Sequence, residues 1–193
     1  TLENIRFMIR IDPKAADKAM VALSSLLRYS IQSGGMMIPL CEDLNYIRSY
    51  MRILEMRFGD RLSYRIDVPA ELEDFPVPKL IVQPIIENAA VYGMKRSDHL
   101  FISLSACLDG SSVVLRVTDN GPGIEPEMLR QLKACLTDVH AERGDHFGIM
   151  NVHERIRLIY GDQYGISIES QVEKGTTVLL RFPRDGARKG DLL

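Results

Sequence analysis

Two stretches of sequence decide the fold of this chain, Glu87-Asn88-Ala89-Ala90 and Asp119-Asn120-Gly121-Pro122-Gly123-Ile124. Asn88 offers a neutral amide oxygen, a hard ligand suited to Mg²⁺ bridging phosphates, and Asp119 offers an acceptor for the amino group of adenine. Gly121 and Gly123 let the backbone approach a ligand without interference from a Cβ atom. Each stretch alone is more often a solvated helix face or a simple turn. Together they predict a site for ATP and Mg²⁺.

Two later motifs strengthen this prediction. Phe147-Gly148-Ile149-Met150-Asn151-Val152 opens a helical stretch, and a glycine at a helix start leaves backbone N–H groups free to meet phosphate oxygens. Lys174-Gly175-Thr176-Thr177 is a turn before a strand, and its hydroxyls can reach the base or a bound water. In this order the four motifs resemble the Bergerat ATP-binding fold of gyrase, heat-shock chaperones, MutL and histidine kinases, where they are the N box and three glycine-containing boxes.

Composition excludes several classes of function. The 193 residues carry a net charge of −2, with no basic stripe, so nucleic-acid binding has no electrostatic support. Cys41, Cys107 and Cys135 lie far apart without CxxC spacing, which argues against a disulfide framework and a zinc site and fits a reducing, cytosolic compartment. No apolar run is long enough to cross a bilayer, and no signal peptide is present, so we expect a soluble chain.

Helical periodicity dominates the first third of the chain. Residues 14–33 carry one apolar stripe, and a second helix is predicted from Pro39 to about Phe58. The stripe residues are Ala16, Met20, Leu23, Leu27 and Ile31 in the first helix, and Leu40, Leu44, Ile47, Met51, Leu54 and Phe58 in the second. Such a hairpin either pairs with a second copy as a four-helix bundle or packs on the domain that follows. Homodimerisation through the hairpin is the hypothesis.

Beyond Gly59 the pattern becomes mixed, with strands and helices alternating. Residues 79–93 are predicted to be a helix in which Pro84 either causes a kink or redefines the first turn. Strands are predicted at 63–68, 101–108, 113–119, 166–170 and 177–182, and helices at 125–136 and 151–160. The prediction is an α+β chain: a partial dimerisation hairpin at 1–58, then a Bergerat-type α/β sandwich at 59–193 with helices on one face of a mixed sheet.

A narrower resemblance covers residues 1 to about 183. The segments Leu26–Tyr29, Leu40–Leu44 and Tyr50–Phe58 look like the dimerisation helices of LytS-type sensor histidine kinases. Pro78–Ala89 is similar to that family's N-box helix, in which an internal Gln-Pro is usual, and Gly148–Ile156 resembles its second glycine box. The resemblance implies the cytoplasmic part of a two-component sensor histidine kinase from a bacterial inner-membrane protein. It also implies a homodimer and a response regulator as partner, with membrane contact only through segments outside this chain.

The resemblance assigns roles to individual residues. Asn88 would hold Mg²⁺, Asp119 would select adenine, and Gly121, Gly123 and Gly148 would shape the pocket and its lid. The lid would be residues 125–147, with 142–145 as its mobile end. Thr176 would add a hydroxyl near the adenine. Glu87 would be the polarising base toward the incoming imidazole, the alternative being an ordinary exposed helical carboxylate.

Three departures from the family pattern bear on activity. The accepting histidine is expected before Thr1, and His99, His140, His146 and His153 are expected to be ordinary surface or core residues. This chain alone is therefore predicted to bind ATP without phosphorylating itself. Val91-Tyr92-Gly93 stands where Lys-His-Gly is usual, so Lys95 or Arg96 is expected to supply the missing cation. The second glycine box lacks its first glycine, which favours weaker triphosphate binding.

Two other classes of function stay open. An anti-sigma-type serine kinase or chaperone-like ATPase would share the nucleotide fold, although the helical hairpin argues against both. The second alternative is a non-catalytic nucleotide-binding module that dimerises or holds a partner with a degenerate kinase site. The Val91-Tyr92 pair and the incomplete second glycine box favour it.

Overall fold

The computed structural model describes residues 36–95, 97–137 and 147–186, together with isolated helical positions between Pro13 and Ser24. Most of the predicted first helix, Arg96, the lid residues 138–146 and the tail from residue 187 lie outside the described residues. In chain order the elements are β1 (Met37–Pro39), α1 (Leu40–Phe58), β2 (Leu62–Asp67), β3 (Pro76–Pro78), α2 (Gln83–Gly93), β4 (Leu100–Asp109), β5 (Ser112–Asp119), α3 (Pro126–Thr137), α4 (Phe147–Tyr160), β6 (Gly165–Gln171) and β7 (Gly175–Pro183). Short 3₁₀ turns at Gly59–Arg61 and Ala70–Leu72 flank β2.

The centre of the described chain is a mixed sheet of five strands in the order β2-β4-β5-β7-β6. β2 runs parallel to β4, and the other neighbours are antiparallel. β4 alternates: Leu100, Ile102 and Leu104 are buried, whereas Phe101 is exposed. Helices α2, α3 and α4 pack on the buried face. The predicted fold class, an α+β chain with helices on one face of a mixed sheet, is confirmed.

Helix α1 shares the hydrophobic core of the sheet. Its stripe residues Leu44, Ile47, Met51 and Leu54 are buried and belong to the same continuous cluster as Ile102 of β4. Each large apolar side chain buried in this way stabilises the folded chain by roughly 1.5–3 kcal/mol. The stripe that the sequence analysis placed in a dimer seam therefore lies against the chain's own α/β domain, which was the second of the two arrangements considered for the hairpin.

Two local features differ from the sequence prediction. Helix α2 begins at Gln83 rather than Lys79, because Pro84 occupies the first turn, where its missing N–H costs no helical hydrogen bond. Before it, Leu80 takes the rare positive φ of 60°. The predicted strands do not include residues 76–78, yet Pro76 and Pro78 belong to β3, which pairs antiparallel with β1. This two-stranded ribbon lies outside the main sheet, and an edge position tolerates residues that cannot donate to a ladder.

Candidate functional site

A cavity of about 450 Å³ opens between α2, α3 and the sheet. The predicted residues Asn88, Asp119, Gly123 and Thr176 all line it. Its remaining lining is mostly apolar: Ile85, Ala89, Tyr92, Gly93, Lys95, Val117, Pro122, Ile124, Glu125, Met128, Leu132, Ile149 and Val178. An apolar pocket with a few convergent polar groups suits a flat heteroaromatic ring with polar substituents.

Asp119 lies at the end of β5, on the floor of the cavity. Its Cα pairs in register with Ile102 on one side and Thr176 on the other. Oδ1 accepts the Gly121 N–H at 2.8 Å. Burial raises the pKa of Asp119 above its ordinary value, while hydrogen bonds from the backbone of Gly121 and Thr176 act in the opposite direction. The carboxylate can still accept further hydrogen bonds, and an exocyclic amino group would supply them.

Glycines let two loops, the one after β5 and the β6–β7 turn, approach each other and Asp119 closely. A Cβ on Gly123, at φ +70°, would lie 2.1 Å from the Gln171 carbonyl oxygen. A Cβ on Gly175, at φ +101°, would lie 1.9 Å from the Asp119 carbonyl oxygen, and one on Gly121 would lie 2.8 Å from Asp119 Oδ1. The walls around Asp119 therefore require glycine. Gly175 was not among the predicted site residues, although it lies in the Lys174–Thr177 motif.

Thr176 is oriented by Ser170, which the sequence analysis missed. The Ser170 hydroxyl accepts the Ile124 N–H at 2.9 Å and donates to the Gly175 carbonyl at 2.9 Å. Its contact with Thr176 Oγ1, also 2.9 Å, must then use the Thr176 proton. The Thr176 hydroxyl oxygen can therefore still accept a hydrogen bond from a further donor. No motif marks Ser170, since it reaches the loops from the neighbouring strand β6.

Asn88 lies on α2 at the side of the cavity, next to the start of α4. A Cβ on Gly148 would stand 3.7 Å from Asn88 Nδ2 and 3.5 Å from the Pro84 side chain. These are ordinary van der Waals distances, so the start of α4 lies beside α2 at a position with room for a small side chain. Gly148 is not itself in the cavity lining, which its neighbour Ile149 joins. The free N–H groups of a helix start and an amide oxygen thus lie at one edge of the cavity.

Lys95 is a candidate for the phosphate-contacting cation that the family pattern leads us to expect. Its side chain lines the cavity, and its Nζ lies 5.2 Å from the centre of the Tyr92 ring. Tyr92 and Val91, which replace the usual histidine and lysine, are 45% and 54% exposed. Arg96, the other candidate, lies outside the described residues.

Glu87 lies apart from the cavity lining. Its Oε1 accepts the Gln83 Nε2 amide at 2.6 Å. Burial, and then the charge of Glu87, raise the pKa of Tyr50 on α1 to about 12. The Glu87 carboxylate is therefore close to α1 rather than to the groups that line the cavity.

No cluster of three or more His, Cys, Asp or Glu side chains that could hold a metal occurs within the described parts of the chain. Among the residues that line the cavity, Asn88 carries an amide oxygen, a hard donor of the kind that Mg²⁺ takes when phosphates and water complete its coordination. None of the helices described is both long and apolar enough to span a membrane.

Two family models match successive parts of the chain. The family "Histidine kinase-, DNA gyrase B-, and HSP90-like ATPase" matches residues 74–186, and the family "Histidine kinase" matches residues 1–62. The chain is 32% identical to the sensor histidine kinase YesM of Bacillus subtilis, over 95% of this chain and 30% of that protein. It is 30% identical to an uncharacterised sensor-like histidine kinase of Staphylococcus epidermidis, over 95% of this chain and 35% of that protein. The chain thus spans about a third of the length of these relatives.

Solved structures share the fold at lower sequence identity. The histidine kinase domain of the Erythrobacter litoralis EL346 blue-light activated kinase superposes with a TM-score of 0.56 at 14% identity, covering 89% of this chain and 76% of that one. The nucleotide-free catalytic domain of the histidine kinase ThkA gives 0.56 at 15% identity, covering 77% of this chain and 95% of that one. Since the ATPase family match alone spans more than half of the residues, the chain belongs to the histidine kinase-, DNA gyrase B-, and HSP90-like ATPase family.

Proposed function

We propose that this chain is the ATP-binding and partial dimerisation part of a two-component sensor histidine kinase of LytS type. The observation that carries the proposal is the shared cavity: Asn88, Asp119, Gly123 and Thr176 come from three separate motifs and line one pocket. The segments that look like LytS-type helices, and the identity to sensor kinases along nearly the whole chain, support the kinase assignment.

The proposed nucleotide contacts follow from the chemistry of the lining. Asp119 accepts the adenine amino group, and Thr176 contributes a second acceptor directly or through water. Val117, Ile149 and Val178 pack on the base and exclude water from these hydrogen bonds. Gly121 and Gly123 place no side chain of their own between this loop and the base.

The proposed triphosphate contacts lie at the α2–α4 edge. Lys95 and the backbone N–H groups at the start of α4, which lies beside Asn88, would meet the phosphates. The Asn88 amide oxygen would be the protein ligand of Mg²⁺, which when bound neutralises phosphate charge. Phosphoryl transfer is mainly a matter of such positioning and charge compensation.

Glu87 is proposed as the group that polarises the accepting imidazole. Its position beside Tyr50 suits contact with a histidine carried on the dimerisation helices, since α1 is one of them in this proposal. The acceptor is proposed to be the histidine expected ahead of Thr1. A response regulator would then take the phosphoryl group, and the chain would act on the cytoplasmic side of a membrane to which other segments attach it.

The test is phosphohistidine formation in a polypeptide that carries residues 1–193 and the segment expected to hold the acceptor. With γ-labelled ATP, acid-labile and base-stable label is expected, and Glu87→Gln is expected to lower the labelling rate with little effect on ATP affinity. Label that withstands acid, as a phosphoserine would, favours the serine kinase alternative.

A non-catalytic nucleotide-binding module is the second candidate. The observations that favour it are the hydrogen bond that occupies Glu87 and the exposed Val91-Tyr92 pair in place of the usual basic residues. ATP binding with no phosphohistidine on the extended polypeptide would select this candidate.

A further inference from the structure

Asp43 of helix α1 is a fully buried carboxylate outside the nucleotide cavity, at 0% exposure. Its Oδ1 accepts the Leu80 N–H at 2.7 Å, and its Oδ2 accepts the Val82 N–H at 3.3 Å. A buried charge is costly unless such partners satisfy it. The chain therefore maintains a specific arrangement here, which the contacts proposed for ATP do not explain.

The segment that Asp43 holds is the entry to the helix that carries Asn88. Val82 is the N-cap residue of α2 and makes no side-chain capping hydrogen bond. Leu80 has a φ of 60°, which L-residues with large side chains rarely adopt and which persists only where the surroundings enforce it. Asp43 thus supplies, from another helix, the acceptor and the negative charge that a helix N-terminus favours.

Helix α4 holds the same segment through a further hydrogen bond. Arg155 Nη1 donates to the Lys79 carbonyl oxygen at 2.7 Å. Burial lowers the pKa of Arg155, and the charge of Asp43 acts in the opposite direction, so the two charged groups attract each other. Residues 79–82 therefore join α1, α2 and α4 at one point.

This junction lies next to the phosphate edge of the cavity. Pro84 lies two residues beyond Val82, and a Cβ added to Gly148 at the start of α4 would stand at ordinary contact distance from the Pro84 side chain. Asn88 lies further along the same helix, within reach of Gly148. Because helices move as rigid bodies in a close-packed core, displacement at Leu80 and Val82 would displace Asn88 relative to α4.

We propose that Asp43 is a positioning residue for ATP binding, which fixes the start of α2 through the Leu80 and Val82 amides and so couples the position of helix α1 to the nucleotide cavity. The inference rests on the proposed function in that ATP is the ligand of the cavity. Coupling of this kind is reciprocal. Bound nucleotide therefore stabilises the hydrogen bonds from the Leu80 and Val82 amides to Asp43 by the same free energy as these bonds add to nucleotide binding.

The first test compares Asp43→Asn with Glu42→Gln in the 193-residue chain. Glu42 precedes Asp43 on α1 but is exposed, so its variant removes the same charge without touching the segment. Titration calorimetry with ATP and Mg²⁺, at a temperature where all variants are folded, is expected to show affinity at least about fivefold weaker for Asp43→Asn, a modest coupling. Glu42→Gln is expected to match the unmodified chain. Equal affinities for the two variants overturn the inference but leave the proposed function intact.

The second test uses the unmodified chain, so it can be carried out even if Asp43→Asn does not fold. Amide hydrogen exchange of the unmodified chain is measured with and without ATP and Mg²⁺. The Leu80 and Val82 amides are expected to exchange several-fold more slowly with nucleotide, whereas the amide of Ser167, on the far edge strand β6, is expected to keep its rate. Binding without added protection at 80 and 82 overturns the coupling alone, and no binding at all overturns both the coupling and the proposed function.

Discussion

At the scale of single residues, Gly123 is a position where the cavity wall tolerates no side chain. Its φ is +70°, and an added Cβ would meet the Gln171 carbonyl at 2.1 Å. Gly110 has a similar φ of +59°, and a Cβ added there would have no neighbour within 4 Å. Gly110→Ala therefore measures only the free energy that a side chain costs at a positive φ. That cost is about 1–2 kcal/mol. We predict from urea unfolding that Gly123→Ala loses clearly more stability than Gly110→Ala, and equal losses would mean that the loop relaxes freely.

The second residue-scale prediction concerns His153, which is buried in α4 and accepts the Ile166 N–H at Nδ1 over 2.9 Å. Burial, and then the charge of Arg157, lower its pKa, while a hydrogen bond to the Leu136 backbone and the charge of Glu154 oppose them. Arg181 and Asp162 also line the adjoining cavity. The unfolded chain therefore binds more protons than the folded chain below pH 6.5, so stability is lost as pH falls from that value toward the lower folded pKa, by up to about 1.4 kcal/mol per pH unit.

The measurement is the free energy of unfolding between pH 5 and 8. His153→Gln keeps an acceptor for the Ile166 N–H but does not titrate, so its stability should decline less steeply below pH 6.5 than that of the unmodified chain. His99 is exposed, and His99→Gln serves as the control that should retain the steep decline. Parallel curves for all three proteins would show that His153 makes no contribution.

Residue-level prediction from sequence works where chemistry is tied to a motif. Asn88, Asp119 and Thr176 each lie in a recognisable stretch, and all three line the cavity. Ser170 belongs to no motif, and the Leu40–Leu44 resemblance assigns no role to Asp43, because the partners of both residues lie on other elements and become neighbours only in the fold. The position of Glu87 beside Tyr50 is likewise a tertiary property that periodicity along one helix cannot reveal.

Among the elements, helix α1 shows what hydrophobic periodicity can predict. It predicts an amphipathic helix but does not identify the surface against which that helix packs. A stripe of leucine, isoleucine and methionine looks the same whether it meets a second copy or the chain's own sheet. The structure places the stripe in the sheet's core. The ribbon of β1 and β3 was missed for a related reason, since proline-rich segments carry no alternation and owe their pairing to their position at the edge of the fold.

The packing of α1 leads to a third prediction. Ile47→Ala is expected to cost about 2–5 kcal/mol in the free energy of unfolding, because Ile47 is 1% exposed within the common core. Asn45→Ala, on the exposed face of the same helix, is expected to stay within about 0.5 kcal/mol. Both should unfold in a single cooperative transition. An early, separate transition for α1 in Ile47→Ala would contradict a shared core.

At the scale of the whole molecule, a dimer has to use residues other than the buried stripe of α1. Met20 and Val21 are helical, and they are 46% and 60% exposed. We predict that the chain forms a concentration-dependent homodimer and that Met20→Asp weakens it by at least about tenfold, since a charge placed in an apolar contact is left without a partner. Sedimentation over a concentration series measures both. A Met20→Asp chain that dimerises as the unmodified chain does would exclude this face from the interface.

The cavity around Asp119 is expected to bind ATP. Titration calorimetry of the 193-residue chain with ATP in Mg²⁺ measures this binding. A charge-assisted hydrogen bond contributes roughly 1.5–3 kcal/mol, so Asp119→Asn should weaken ATP binding at least about tenfold. Asp109→Asn, which breaks a surface pair with Arg181, is the control expected to leave affinity unchanged. GTP presents a carbonyl where ATP has its amino group, so the unmodified chain should prefer ATP and Asp119→Asn should lose much of that preference. If Asp119→Asn leaves both the ATP affinity and the preference for ATP over GTP unchanged, the cavity around Asp119 is not the adenine site.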